Sequence, residues 1–163
     1  MKLCNETITI LNKRLDDDTG YDIYVPTVIT GVSWFCEIRS NVDSTGLQAA
    51  NLFTIRIPED ADFSGKAYVE PAAYAGGDPT KVFTIDNGDI IVKAAVSVPD
   101  PEPGENSSGS GQESNTSGSE QEGTSFSLKP ADLQALYGQV VTVLGVTDNR
   151  RTARAPHWKV VGK

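Results

Sequence analysis

Apolar and polar residues alternate with a period of two through most of the apolar runs of this chain. In "GVSWFCEIR", Val32, Trp34, Cys36 and Ile38 fall on one face of an extended segment, and Ser33, Phe35, Glu37 and Arg39 on the other. "FTIRIP" repeats the pattern, with Phe53, Ile55 and Ile57 against Thr54 and Arg56. "TITIL" sets Ile8 and Ile10 on one face. Successive side chains of a strand point to opposite faces, so this alternation predicts half-buried strands. "QVVTVLGV" and "HWKVV" add two more, joined by "TDNRRTARAP". Trp34, Phe53, Ile55 and Trp158 are the expected core anchors.

The intervening segments are rich in turn residues. Asp17, Asp18, Thr19 and Gly20 form a turn signal, and Pro26 demotes "YDIYVPTVI" to an edge or irregular stretch. In "VFTIDNGDIIV", Asn87-Gly88 between two β-rich runs predicts a tight hairpin. "EDADFSGKAYVEPAAYAGGDP" is turn-rich, with a short strand around Tyr68. Helix is expected only in "KPADLQALYG". There Pro130 suits a first turn, Leu133 and Leu136 share a face, and Gly138 suits a C-terminal cap. Such a helix would cross a barrel mouth or pack on one face. The fold expectation is all-β: a small β-barrel or sandwich with one short helix and a long disordered acidic loop insertion.

That loop is Pro99–Ser125, residues 99–125, rich in Ser, Gly and Glu. It contributes six of the eight net negative charges of the 163-residue chain and contains no Lys or Arg. It has too few apolar residues to offset the cost of ordering, so it reads as flexible and self-repelling. Residues 1–163 are expected to form a single β-barrel domain interrupted by it. Phe126–Lys163 alone is too short to bury a core.

The residue inventory narrows the chemistry. No apolar run is long enough to cross a membrane as a helix, so no membrane partner is expected. The N-terminus does not read as a signal peptide. Without export, the Asn5, Asn106 and Asn115 triplets are chance matches to a glycosylation pattern. Cys4 and Cys36 follow no metal or redox spacing and are expected as reduced thiols, with Cys36 buried in a strand. The one His, His157, has no nucleophile elbow to serve. The carboxylates of "LDDDTGYD" (Asp16, Asp17, Asp18 and Asp22) lack the ligand alternation of a calcium loop. No phosphate-binding glycine motif occurs. The expectation is therefore no catalytic residue, no metal ligand, no cofactor and no enzymatic activity.

The basic C-terminus remains. Asp148 offsets one of Arg150, Arg151, Arg154, Lys159 and Lys163, leaving four positive charges in the last sixteen residues. Asp148 and Asn149 open a turn with the arginines at its tip. The patch is small for nucleic-acid binding, which normally needs a broad basic face. One reading is a solvated loop that aids solubility. Among functional readings, a protein contact through Asn149, Arg150, Arg151 and Arg154 fits best, because arginine forks suit carboxylates as well as phosphates.

The order of these pieces resembles the head-closure, or head–tail joining, proteins of tailed bacteriophages, as in phages of Gram-positive bacteria. The elements are "ITILNKRLDDDTGYDIYVPTVITGVSW", "AANLFTIRIP", "NGDIIVKAAV" and "VLGVTDNRRTARAPHWKVVGK". The resemblance covers nearly the whole chain except 99–125. It implies a structural virion protein at the head–tail neck, present in host cytoplasm during assembly. Such a subunit self-associates into a ring that closes the DNA-filled head, contacts the portal or its adaptor and the tail proteins, and lies beside channel DNA without reading its sequence. The arginines of the turn would then meet carboxylates of a neighbouring subunit or ring. Another minor head or tail component, or a non-viral protein-binding β-module, are the alternatives.

Overall fold

The computed structural model describes residues 4–15, 22–38, 40–44, 46–49, 51–96 and 130–163. The turn expected at 17–20 and the loop expected at 99–125 lie outside these residues. In chain order the elements are β1 (Glu6–Leu15), β2 (Asp22–Glu37), β3 (Ser40–Asp43), β4 (Gly46–Ala49), β5 (Leu52–Pro58), β6 (Ala67–Tyr68), α1 (Pro71–Tyr74), β7 (Val82–Phe83), β8 (Ile90–Val92), α2 (Pro130–Tyr137), β9 (Val140–Asp148) and β10 (His157–Gly162).

Six strands close a barrel in the order β1-β2-β5-β10-β9-β8, with β8 returning to β1, and every pairing is antiparallel. The fold class is therefore all-β, and the barrel form is the one adopted. Closure leaves no continuous free edge. Strands from both sides of residues 97–129 are needed to close it.

The interior is filled by the faces that the alternation picks out. Ile8, Ile10, Val32, Ile55, Ile57, Trp158 and Val160 are buried together with Ile29, Phe83, Ile85, Ile91 and Val143. One wall is buried on its outside as well. Leu11, Ile90 and Val92 pack there against Val96 and Leu133, the latter carried by α2. The Thr9 hydroxyl fastens this cover. It donates to the Ala94 carbonyl at 2.7 Å and accepts the Val96 N–H at 2.9 Å. Two-sided burial explains why β8 reads as a continuous apolar run.

The long strand β2 serves two neighbours. Asp22–Val32 pairs with β1 and Ser33–Glu37 with β5. The change of partner falls between Val32 and Ser33, just after Gly31, which bulges out of the β1 register and whose φ of +86° suits a residue without Cβ. Pro26 lies in the half with β1 on one side only, as its missing N–H requires. The other side of that half is covered by the chain after β5. Thr30 and Asp62 exchange backbone hydrogen bonds at 3.0 and 3.1 Å, the Ser64 hydroxyl donates to Val28 O, and Lys66 Nζ donates to Pro26 O.

Several expectations are corrected. Asn87-Gly88 forms a turn, with Gly88 at φ +90°, but its flanking runs do not pair with each other. Val82–Phe83 pairs in parallel with β6, and Ile90–Val92 enters the barrel between β1 and β9. Phe83 and Ile85 are both core residues, so this run is drawn inward instead of forming a half-exposed hairpin arm.

Cys36 is exposed, not buried. It lies near the end of β2, where the chain leaves the covered barrel wall, and Ile38 beyond it is 84% exposed. Both cysteines are free thiols. Trp158 and Ile55 are buried as expected, whereas Trp34 and Phe53 are half-buried, packed on each other as tilted rings with centroids 5.6 Å apart. Leu133 is buried but Leu136 is 63% exposed; Tyr137, one full turn after Leu133, packs against the covered wall instead. A single-turn helix, α1, which begins at Pro71, accompanies the expected one. Gly138, at φ +77°, caps α2 by donating its N–H to Gln134 O at 2.9 Å.

Candidate functional site

Strands β9 and β10 form a hairpin with Trp158 opposite Asp148, and residues 149–156 make its turn. Asp148 is the organising group. Its carboxylate accepts the Arg150 backbone N–H at 2.9 Å and takes the Arg150 guanidinium through Nε at 3.0 Å and Nη2 at 2.7 Å. The Arg150 side-chain and backbone hydrogen bonds hold the Asp148 carboxyl below the usual carboxylate range, and Asp148 raises the arginine in turn.

The far side of the same guanidinium is apolar in character. Arg150 Cζ sits 4.7 Å from the Trp158 ring centroid and 5.0 Å from that of Tyr68, with Glu70 at 3.5 Å from Nη2. Tyr68 and Trp158 pack as tilted rings at 4.7 Å, and Phe63 and Phe83 complete the cluster at 5.1 Å from each other. Arg150 thus covers the aromatic end of the core, with its charge neutralised by Asp148.

His157 is used within the turn. Its Nδ1 lies 2.7 Å from Ala155 O and so carries the proton, which leaves Nε2 to accept from Asn149 Nδ2 at 3.4 Å. The Asn149 N–H also donates to His157 O at 2.9 Å. The Thr152 hydroxyl lies 2.8 Å from Asn149 O and 3.0 Å from Ala155 O. The four residues anticipated for partner contact therefore divide. Asn149 and Arg150 hold the turn to the barrel, while Arg151 and Arg154 are exposed and enter no ion pair among the described residues.

Arg154 borders an open cleft of about 390 Å³ with Cys4, Arg56, Glu59, Asp60 and His157. Among the described residues no group of three or more His, Cys, Asp or Glu side chains could hold a metal ion. Asp16, Asp17 and Asp18 lie outside those residues; Asp22 pairs with Lys13 at 2.8 Å. The sequence reading missed Tyr68 and Glu70 as partners of Arg150, and Phe63 and Phe83 as members of the aromatic cluster beneath it. Glu70 is eighty residues away from Arg150 in the chain, and no local pattern joins them.

The sequence model of a protein family, described as a family of unknown function (DUF6751), matches residues 3–163. The chain belongs to that family. No curated protein and no solved structure matches it. In this DUF6751 chain the match spans the barrel and the arginine turn together, so the turn is part of the family's domain and not an appended tail.

Proposed function

We propose that this DUF6751 protein is a structural subunit of the phage head–tail connector, without catalytic activity, that forms a ring closing the DNA-filled head and joining it to the tail. The observation that carries this reading is the division of the arginine turn. Arg150 is consumed by its own barrel, while Arg151 and Arg154 stand outward on a hairpin that the rest of the turn holds rigid. A rigid, cationic hairpin tip on a closed barrel suits a fixed contact with acidic groups of a neighbouring protein better than a flexible nucleic-acid arm. The ordered resemblance to head-closure proteins supplies the setting: the virion neck, with the portal or adaptor above and the tail below.

Electron microscopy of particles from a phage deleted for this gene tests the proposal. DNA-leaking or empty heads beside separate, complete tails are expected. Filled heads with absent or abnormal tails would move the protein to the tail, and normal infectious particles would overturn any virion role.

A further inference from the structure

The outer face of β5 and β10 carries positive charge and no acid. Ile55, Ile57, Trp158 and Val160 fill the core, so strand alternation turns Arg56 and Lys159 outward. The register sets these two cations directly opposite each other, with Ser33 of β2 and Thr147 of β9 completing the row. Like charges so placed on paired strands repel. Arg56 leans onto Phe35, its Cζ 5.6 Å from the ring centroid. Neither Arg56 nor Lys159 enters an ion pair or a side-chain hydrogen bond among the described residues. Neither strand contains an Asp or Glu. The acids around the face lie at its margins: Glu37 ends β2 opposite Leu52, Asp148 is held by Arg150, and Glu59 and Asp60 follow β5.

One stretch of this chain has the opposite character. Residues 99–125 hold six of its eight net negative charges and no Lys or Arg. They belong to the connection from Val96, which follows β8, to Pro130, which leads through α2 into β9. In the barrel, β8, β9, β10 and β5 are consecutive. The face therefore lies within three strand spacings of both ends of the connection, on the order of 15 Å of sheet at ~4.8 Å per spacing. A connection of this length reaches roughly 50 Å out and back at ~3.3 Å per residue. Being on the same chain, its carboxylates meet the face at an effective concentration on the order of millimolar. A continuous phosphate backbone suits the face less well, because it would run on past Glu37 at one margin and past Glu59 and Asp60 at the other.

We infer that carboxylates of residues 99–125 bind the outer face of β5 and β10 of the same chain, at Arg56 and Lys159. The contact offsets the repulsion within that cross-strand pair and competes with any other acidic partner for the face. It stands apart from the connector reading, which rests on Arg151 and Arg154 at the hairpin tip.

The test is carbodiimide coupling of the purified full chain in low salt, with the products mapped by mass spectrometry. The reagent joins a carboxylate to a lysine amine only where the two touch. Lys159 should couple to an Asp or Glu of 99–125 within the monomer, several-fold more than Lys81 does, although the Lys81 side chain is 79% exposed. Arg56→Gln keeps the Lys159 amine and should cut that product several-fold. Salt at about 0.5 M should do the same, because it screens exposed charges within a few ångströms. Equal coupling of the segment to Lys159 and Lys81 would reflect the tether alone and overturn the inference. So would a Lys159 product confined to covalent dimers, or one that neither salt nor Arg56→Gln reduces. The connector reading fails or stands separately, in the particles of the gene-deleted phage.

Discussion

Two turns of this molecule begin with the same dipeptide. Asp86-Asn87 continues with Gly88-Asp89, and Asp148-Asn149 continues with Arg150-Arg151. In the first, the carboxylate that fixes the turn is the buried Asp89. It accepts Asn12 Nδ2 at 2.8 Å, the Asp86 N–H at 2.9 Å and the Lys13 N–H at 3.1 Å, and so ties the turn to β1. In the second, Asp148 is partly exposed and is neutralised by Arg150. Burial pushes the Asp89 carboxyl up despite its three donors, while Arg150 pulls Asp148 down. The second turn joins paired strands and the first does not, although both carry a hairpin signal. A turn signal fixes a reversal of the chain; what lies beneath the carboxylate decides whether the flanking strands meet.

The largest effects should come from the groups beneath the turns. Trp158→Ala removes the ring that Arg150 covers and should cost roughly 3–5 kcal/mol in urea unfolding. A change near zero would remove the aromatic cluster from the account. Asp89→Ala leaves the Asp86 and Lys13 backbone N–H groups without this acceptor and the Asn12 amide with only the Thr84 carbonyl, and a loss of about 3 kcal/mol is expected from unsatisfied buried donors. Asp89→Ala should therefore be far more damaging than Asp148→Ala, whose exposed ion pair contributes about 1 kcal/mol or less. Equal losses would break the contrast between the two turns.

Arg150→Ala should fall between these, at about 1–2 kcal/mol, because it uncovers Trp158 and Tyr68 as well as breaking the pair with Asp148. Stability changes for Arg151→Ala and Arg154→Ala should stay within about 0.5 kcal/mol, as for exposed side chains without special contacts.

The pH dependence sharpens the comparison in sign. Asp148 is depressed in the folded state, so its contribution is complete above the ordinary carboxylate range and is lost as pH falls through its lower folded value. Asp89 is raised, so the folded state holds its proton more tightly. Its burial costs stability as pH rises from the ordinary carboxylate range through the higher folded value. Urea midpoints measured across acid pH should lose the first slope in Asp148→Asn and the second in Asp89→Asn. Identical pH profiles for both variants and the wild type would contradict both assignments.

Much of the barrel was legible because its wall strands are half-buried and so alternate: Ile8 with Ile10, Ile55 with Ile57, Trp158 with Val160. Legibility failed where burial did not follow the alternation. Cys36 and Ile38 continue the apolar face of β2 past the point where anything covers it, and Asn12 and Asp89 are polar residues buried by a bond between distant segments. The arginine turn was visible as a basic hairpin. Its division was not, because Arg150 is claimed by Tyr68 and Glu70 from far away in the chain.

The most direct test of the account is the incorporation of the doubly substituted chain, Arg151→Glu with Arg154→Glu, into phage particles, read by quantitative mass spectrometry against the wild-type chain. The account predicts an unchanged unfolding midpoint and incorporation reduced to background, because these arginines act outward and not on the barrel. Normal incorporation of the folded variant would contradict it and return Arg151 and Arg154 to the role of solubilising surface charge.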